Sequence, residues 1–157
     1  MNGKKSITYP EALKKLANYC AYQERCHQEV EKKLNEFFLI PEAKEKIITY
    51  LLQENYLNET RFAQSFSRGK FKFKQWGRNR ITQELKQRKI SPYNIKKGLQ
   101  EIESLNYRDT FENLAKKKWD SLTNETQQKA KQKFISYFQY RGWENELIFN
   151  FLNKFYE

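Results

Sequence analysis

Five apolar positions recur three times along this chain at fixed spacing. Val30, Leu34, Leu39, Ile48 and Leu51 map onto Ile81, Leu85, Ile90, Leu99 and Ile102 with an offset of 51 residues. Those map in turn onto Phe134, Phe138, Trp143, Leu152 and Phe155 with an offset of 53. A period of about 50 residues is the mark of a helical repeat array, in which each unit closes its core partly against its neighbour. Within each copy the apolar spacing predicts three helices. In the first copy they run from about Pro10 to Tyr22, Arg25 to Phe38 and Pro41 to Asn55. The second covers Asn58 to Gln75, Trp76 to Lys89 and Pro92 to Glu103. The third covers Tyr107 to Leu122, Asn124 to Tyr140 and Glu144 to Phe155.

Local signals support these helices. Leu13, Leu16 and Cys20 mark one face of the opening helix, and Phe62, Phe66 and Phe73 mark one face of the fourth. Ser91-Pro92 is a helix start, with Ser capping the free amides and Pro at the first helical position. Gly142 is a helix stop. Five Gly and three Pro are too few for a chain of many tight turns. The fold class expected is all-α: an elongated, curved array of three tandem three-helix repeats, about nine helices in all. Residues 1–9 form an N-terminal tail, and the repeats occupy 10–57, 58–105 and 106–157. Helices of ~12–17 residues are marginal alone, so packing must hold them.

Charge is distributed as unevenly as the apolar pattern is even. Residues 1–60 carry nine Lys/Arg and nine Asp/Glu, and residues 98–157 carry nine and nine again. Residues 61–97 carry twelve basic side chains and one acid, Glu84, so the net charge of +11 belongs to the middle repeat. Two neutral flanks suggest a body built for shape, with one stripe facing polyphosphate or an acidic protein.

Two segments, one leading into that stripe and one within it, resemble a known family. Tyr56-Leu57-Asn58-Glu59-Thr60-Arg61-Phe62-Ala63 resembles the G-Y-L-D-D-x-R-F-A signature of the RecX family of recombination regulators. Arg68 through Gly77-Arg78-Asn79-Arg80-Ile81-Thr82-Gln83-Glu84-Leu85 is similar to that family's R…G…R-I…E-L segment, and the resemblance covers roughly residues 10–155. Asn55 stands at the signature's glycine and Asn58 at its first acid. Lys89 stands where a glycine precedes the apolar residue, which the third copy keeps as Gly142. Asn enters the left-handed region more readily than most residues. The resemblance implies a non-enzymatic protein that binds the RecA recombinase filament on DNA, lies in its helical groove, and blocks extension or promotes disassembly.

The candidate contact residues are Arg68, Lys70, Lys72, Lys74, Trp76, Arg78, Arg80, Lys86, Arg88 and Lys89. The nine cations surround a helix–turn–helix junction and are expected to line one ridge, with Trp76 either stacking on a base or anchoring the junction. Contact of ~6 of them with phosphates gives single-strand binding a log–log salt slope of about −4. Binding to single- or double-stranded DNA alone is therefore expected to be weak and salt-sensitive. Two rival readings stay open: a stand-alone nucleic-acid-binding protein, and a helical scaffold docking an acidic partner.

Other features read as structural. Arg61 suits a salt bridge at least as well as a ligand contact. Trp143 and Trp119 read as core, and Cys20 and Cys26 as core thiols beside an exposed His27 rather than a metal site. Glu84 stands alone among basic residues, and no nucleophile–base arrangement or phosphate loop is visible. No cofactor and no enzymatic activity are expected. No stretch approaches the ~20 apolar residues of a membrane span, and no apolar signal region precedes Pro10. The expected state is a cytoplasmic monomer with no membrane contact.

Overall fold

Helix starts and stops follow from individual residues. In the computed structural model, which describes residues 3–155, the side chains of Thr8, Asn58, Ser91 and Thr126 each accept a hydrogen bond from the backbone N–H three residues on. These cap α1 (Tyr9–Tyr22), α4 (Glu59–Lys74), α6 (Pro92–Glu103) and α8 (Gln127–Tyr140). The remaining helices are α2 (His27–Leu34), α3 (Pro41–Gln53), α5 (Arg78–Gln87), α7 (Tyr107–Asp120) and α9 (Asn145–Asn153). Among the described residues the fold is thus nine helices in three triads, with no strand beyond one isolated bridge between Lys5 and Phe37.

Among the described residues, left-handed residues follow five helices: Asn55 (φ 62°) after α3, Gln75 (φ 58°) after α4, Lys89 (φ 59°) after α5, Asn106 (φ 57°) after α6 and Gly142 (φ 85°) after α8. By the repeat offsets Asn55 matches Asn106, and Lys89 matches Gly142. The turn survives at Lys89 without glycine, at a cost of roughly 1–2 kcal/mol for an L-residue in that region.

Packing divides the chain unequally. The first triad closes its own core around Leu16, Val30, Leu34, Ile47 and Leu51. The second and third share one larger core, running from Phe62, Phe71, Ile81 and Leu85 to Phe111, Phe134, Phe138, Trp143 and Phe151. Cys26 is the first triad's one residue in that shared core among the described residues.

Several expectations are corrected by this packing. Phe73 is not on the buried face of α4 but 79% exposed, and Phe71 is buried instead. Ala63, Ser67 and Phe71 are buried at steps of four, so a residue two beyond Phe71 points to the opposite side. In the first two triads the buried slot of the last helix holds Ile47 and Gly98, one position before the half-buried Ile48 and Leu99 of the sequence pattern, whereas in the third both Phe151 and the pattern's Leu152 are buried. Phe155 is 50% exposed, resting on Trp119 at 5.6 Å. The second helix is shorter than expected at both ends: residues 35–38 leave it to pair with Lys5, and Arg25 and Cys26 lie in the segment before it. There the Arg25 guanidinium lies 3.7 Å from the Tyr19 ring centre and donates to the Tyr19 carbonyl. His27 is half-buried rather than exposed.

Gly98 explains the closest helix pair. A Cβ there would lie 2.6 Å from the Ala63 carbonyl oxygen and 2.6 Å from Ser67 Oγ, so only glycine lets α6 lie this near α4.

Candidate functional site

The basic residues of α4 and α5 fall into two groups by partner. All four arginines among the candidate contact residues are held by carboxylates. Arg68 pairs with Glu101 at 3.3 Å, and Arg78 with Glu144 at 3.3 Å and Glu103 at 3.7 Å. Arg80 and Arg88 clamp Glu84 from either side, at 3.3 and 3.0 Å. Glu84 is therefore not isolated, and hydrogen bonds from Arg88 first, then Arg80, hold its carboxyl below the usual range despite burial. Arginine suits this role because its planar fork meets carboxylates and ring faces while losing little hydration.

The lysines have no such partners. Lys72, Lys74, Lys86 and Lys89 are exposed and form no ion pair among the described residues. The half-buried Lys70 sets its Nζ 5.5 Å from the Phe66 ring centre and 5.2 Å from that of Trp76. These compact charges remain available to phosphate or acidic protein.

The nine cations do not share one ridge. Arg68 and Lys72 border an open cleft between α4 and the third triad, lined also by Phe71, Leu105, Thr110 and Leu114. Lys70, Lys74 and Arg88 border a second cleft, toward Gln23, Glu24 and Glu29 of the first triad. Phe73 stands between the two and lines both. Lys86 lies on a third groove, with Lys96 and Leu99 of α6. Phe73 is the contact candidate the sequence pattern assigned to the core. Trp76 is half-buried at the junction, 6.3 Å from Phe66 with the Arg80 guanidinium 4.4 Å from its ring centre.

The first turn of α5 is a poor phosphate cradle, because three of its free amides are already bonded. The N–H groups of Gly77 and Asn79 donate to the carbonyls of Arg141 (2.8 Å) and Gly142 (2.9 Å), and that of Arg78 donates to the Tyr107 hydroxyl (2.9 Å). That hydroxyl in turn donates to Glu144, and burial first, then this bond, pushes its pKa far up. A Cβ on Gly142 would lie 2.1 Å from the Arg80 nitrogen, and one on Gly77 would lie 2.6 Å from the Gly142 oxygen. The Trp143 indole N–H donates to the Gln75 carbonyl at 2.9 Å.

The junction between the first two triads repeats the device more thinly. Glu59, the first residue of α4, accepts from the His27 N–H at 3.0 Å, as Tyr107, the first residue of α7, accepts from that of Arg78. Arg61 is structural, bonded to Glu24 at 2.9 Å and to the Asn55 carbonyl at 2.7 Å.

Other chemistry has little footing among the described residues. Cys20 and Cys26 are buried free thiols, and desolvation pushes both up to about 11. No group of three His, Cys, Asp or Glu side chains is arranged to hold a metal ion, and no helix is long and apolar enough to cross a membrane.

Comparison with known proteins adds a second line of observation. Residues 58–99 match the family model described as RecX, second three-helix domain, and residues 107–152 match RecX, third three-helix domain. The Regulatory protein RecX of Clostridioides difficile (strain 630) is 28% identical over 150 residues, 93% of this chain and 68% of that protein. Its namesake from Yersinia enterocolitica is 31% identical over 117 residues, 74% of this chain and 68% of the relative. That of Enterococcus faecalis is 29% identical over 148 residues, 92% of this chain but 54% of the relative. The chain therefore spans between about half and two thirds of these relatives. The crystal structure of RecX from Lactobacillus salivarius superposes with a TM-score of 0.79 at 19% identity, covering 93% of this chain and 95% of that one. A second, a crystal structure of regulatory protein RecX, gives 0.78 at 22% identity, over 88% of this chain and 70% of the other. Both likenesses establish the fold.

Proposed function

The chain belongs to the RecX family, and on that premise we propose that it regulates the RecA recombinase by lying in the groove of the RecA–DNA filament and inhibiting its activities. The observation that carries this reading is the division between cations. The arginines are consumed in holding helices together, whereas Lys72, Lys74, Lys86 and Lys89 stand exposed without ion-pair partners among the described residues. Stability does not require those lysines, and a surface that carries phosphate beside acidic protein would engage them.

Five lysines, counting Lys70, that meet single-strand phosphates give a log–log salt slope of about −3.5, a loss of roughly 100-fold between 50 and 200 mM salt. DNA alone is then a weak ligand, and the filament protein must add contacts. Phe73, between the two clefts, is the apolar anchor for that protein. The shared core makes the second and third triads one wedge, which shifts the filament toward a stalled state by binding it better than the extending one. The protein acts without a cofactor, as a monomer, where the DNA is, in the cytoplasm.

The test is the single-strand-dependent ATPase of the cognate RecA, with this protein titrated far below the RecA concentration. Inhibition at a small fraction of RecA supports filament-level regulation. Inhibition only when the protein is abundant enough to coat the DNA overturns it in favour of a plain nucleic-acid-binding module.

A further inference from the structure

A ladder of alternating rings and cations crosses from the second triad to the third. Arg88 and Lys70 lie over Phe66, with the charge 4.8 and 5.5 Å from the ring centre. Lys70 and Arg80 lie over Trp76, at 5.2 and 4.4 Å. Arg80 also lies 4.9 Å from the ring centre of Tyr140, the last residue of α8. Phe66 and Trp76 are half-buried with two cations each, whereas Tyr140 is 70% exposed. Among the described residues Arg80 is the one cation over its ring.

We infer that Tyr140 is a base-stacking platform for single-stranded nucleic acid, which extends the contact surface from the basic second triad onto the third. The inference rests on the reading that the second triad meets nucleic acid. Three observations carry it. First, the ring is preorganised: Arg80 stacks on it while donating to the Tyr140 carbonyl at 3.0 Å, and Glu84 fixes Arg80 in turn. A ring already held in place loses little entropy when a base lands on it. Second, a large aromatic left this exposed contributes little to the fold, although rings of the same kind fill the shared core a few residues away at Phe138 and Trp143. Third, the neighbouring rungs carry Lys70 and Arg80, so a strand whose base stacks on Tyr140 runs its backbone along positive charge. Successive rings and cations are what a single strand requires, because every base offers a π-face and every linkage a phosphate. A duplex keeps its bases stacked inside and cannot use the ring in this way.

The test compares Y140A, Y140L and Y140F with the unmodified chain, binding fluorescein-labelled oligothymidylate and a blunt duplex of equal length. Y140A and Y140L are expected to weaken oligothymidylate binding about 5- to 100-fold, as loss of one base–aromatic stack does. The salt slope stays unchanged, since no charge is removed, and duplex binding is unaffected. Y140F, which keeps the ring, binds like the unmodified chain. Y140L separates loss of the ring from loss of packing against Arg80. Unaltered oligothymidylate binding by Y140A and Y140L overturns the inference alone, as does equal loss on duplex or in Y140F. Failure of the unmodified chain to bind oligothymidylate overturns both the inference and the nucleic-acid part of the reading it rests on.

Discussion

Lys89 holds a left-handed conformation that glycine adopts without cost, and it also presents one of the exposed charges. Lys89→Gly is therefore expected to raise stability by about 1 kcal/mol, read in urea unfolding, while weakening DNA binding. A gain in both, or neither, contradicts the assignment. Ser67 is fully buried against α6 and its Oγ has no hydrogen-bond partner in the protein. Ser67→Ala removes an unpaired hydroxyl and is expected to be neutral or stabilising by up to about 1–3 kcal/mol, measured as a shift in melting temperature. The two thiols ionise at about 11 in the fold against an ordinary value of 9.0. Their contribution to stability is complete below pH 9 and is lost as pH rises through 11, because the unfolded chain releases those protons first. Iodoacetamide at pH 8 should leave both unmodified in the native protein and label both in urea. At this scale the sequence was readable where chemistry is local, as at Asn55, Ser91 and Gly142. It misled at α4, where Phe71 and Phe73 are both aromatic and the distant rings of Tyr107 and Trp143, packed on Phe71, mark which one faces inward.

Helix identities were legible because apolar spacing and caps agree in all three triads, and the ends that shifted lie where backbone leaves the helix to meet another segment. The roles of the cations were only half legible. Glu84 sits four residues from both Arg80 and Arg88, so that clamp is readable at helix spacing. The partners of Arg68 and Arg78 come from distant elements, Glu144 being 66 residues beyond Arg78, and no local pattern announces them. The α4–α6 contact supplies the sharpest test at this scale. Gly98→Ala places a methyl group against the Ala63 carbonyl, which backbone alone can relieve. It is expected to cost about 1–3 kcal/mol, as overpacking does, whereas Gly69→Ala, with open space around its Cβ position, should not destabilise. Equal effects in thermal melts would remove the close-packing argument.

Over the whole molecule the repeat pattern announced three equal units, but the structure joins two of them. The second and third triads share a core and a junction in which two glycines, three backbone amides and the Tyr107–Glu144–Arg78 cluster interlock. The first triad is attached through fewer bonds, led by Arg61–Glu24 and Glu59–His27. This arrangement ties the regulatory proposal to a single physical claim: arginines build the wedge and lysines touch the filament. The direct measurement is the salt dependence of binding to RecA filaments on single-stranded DNA, for the unmodified chain and for the Lys72→Ala, Lys74→Ala, Lys86→Ala triple variant. The account expects the log–log slope to become shallower by about 2 with melting temperature unchanged. An unchanged slope, or a variant that melts early, would contradict it.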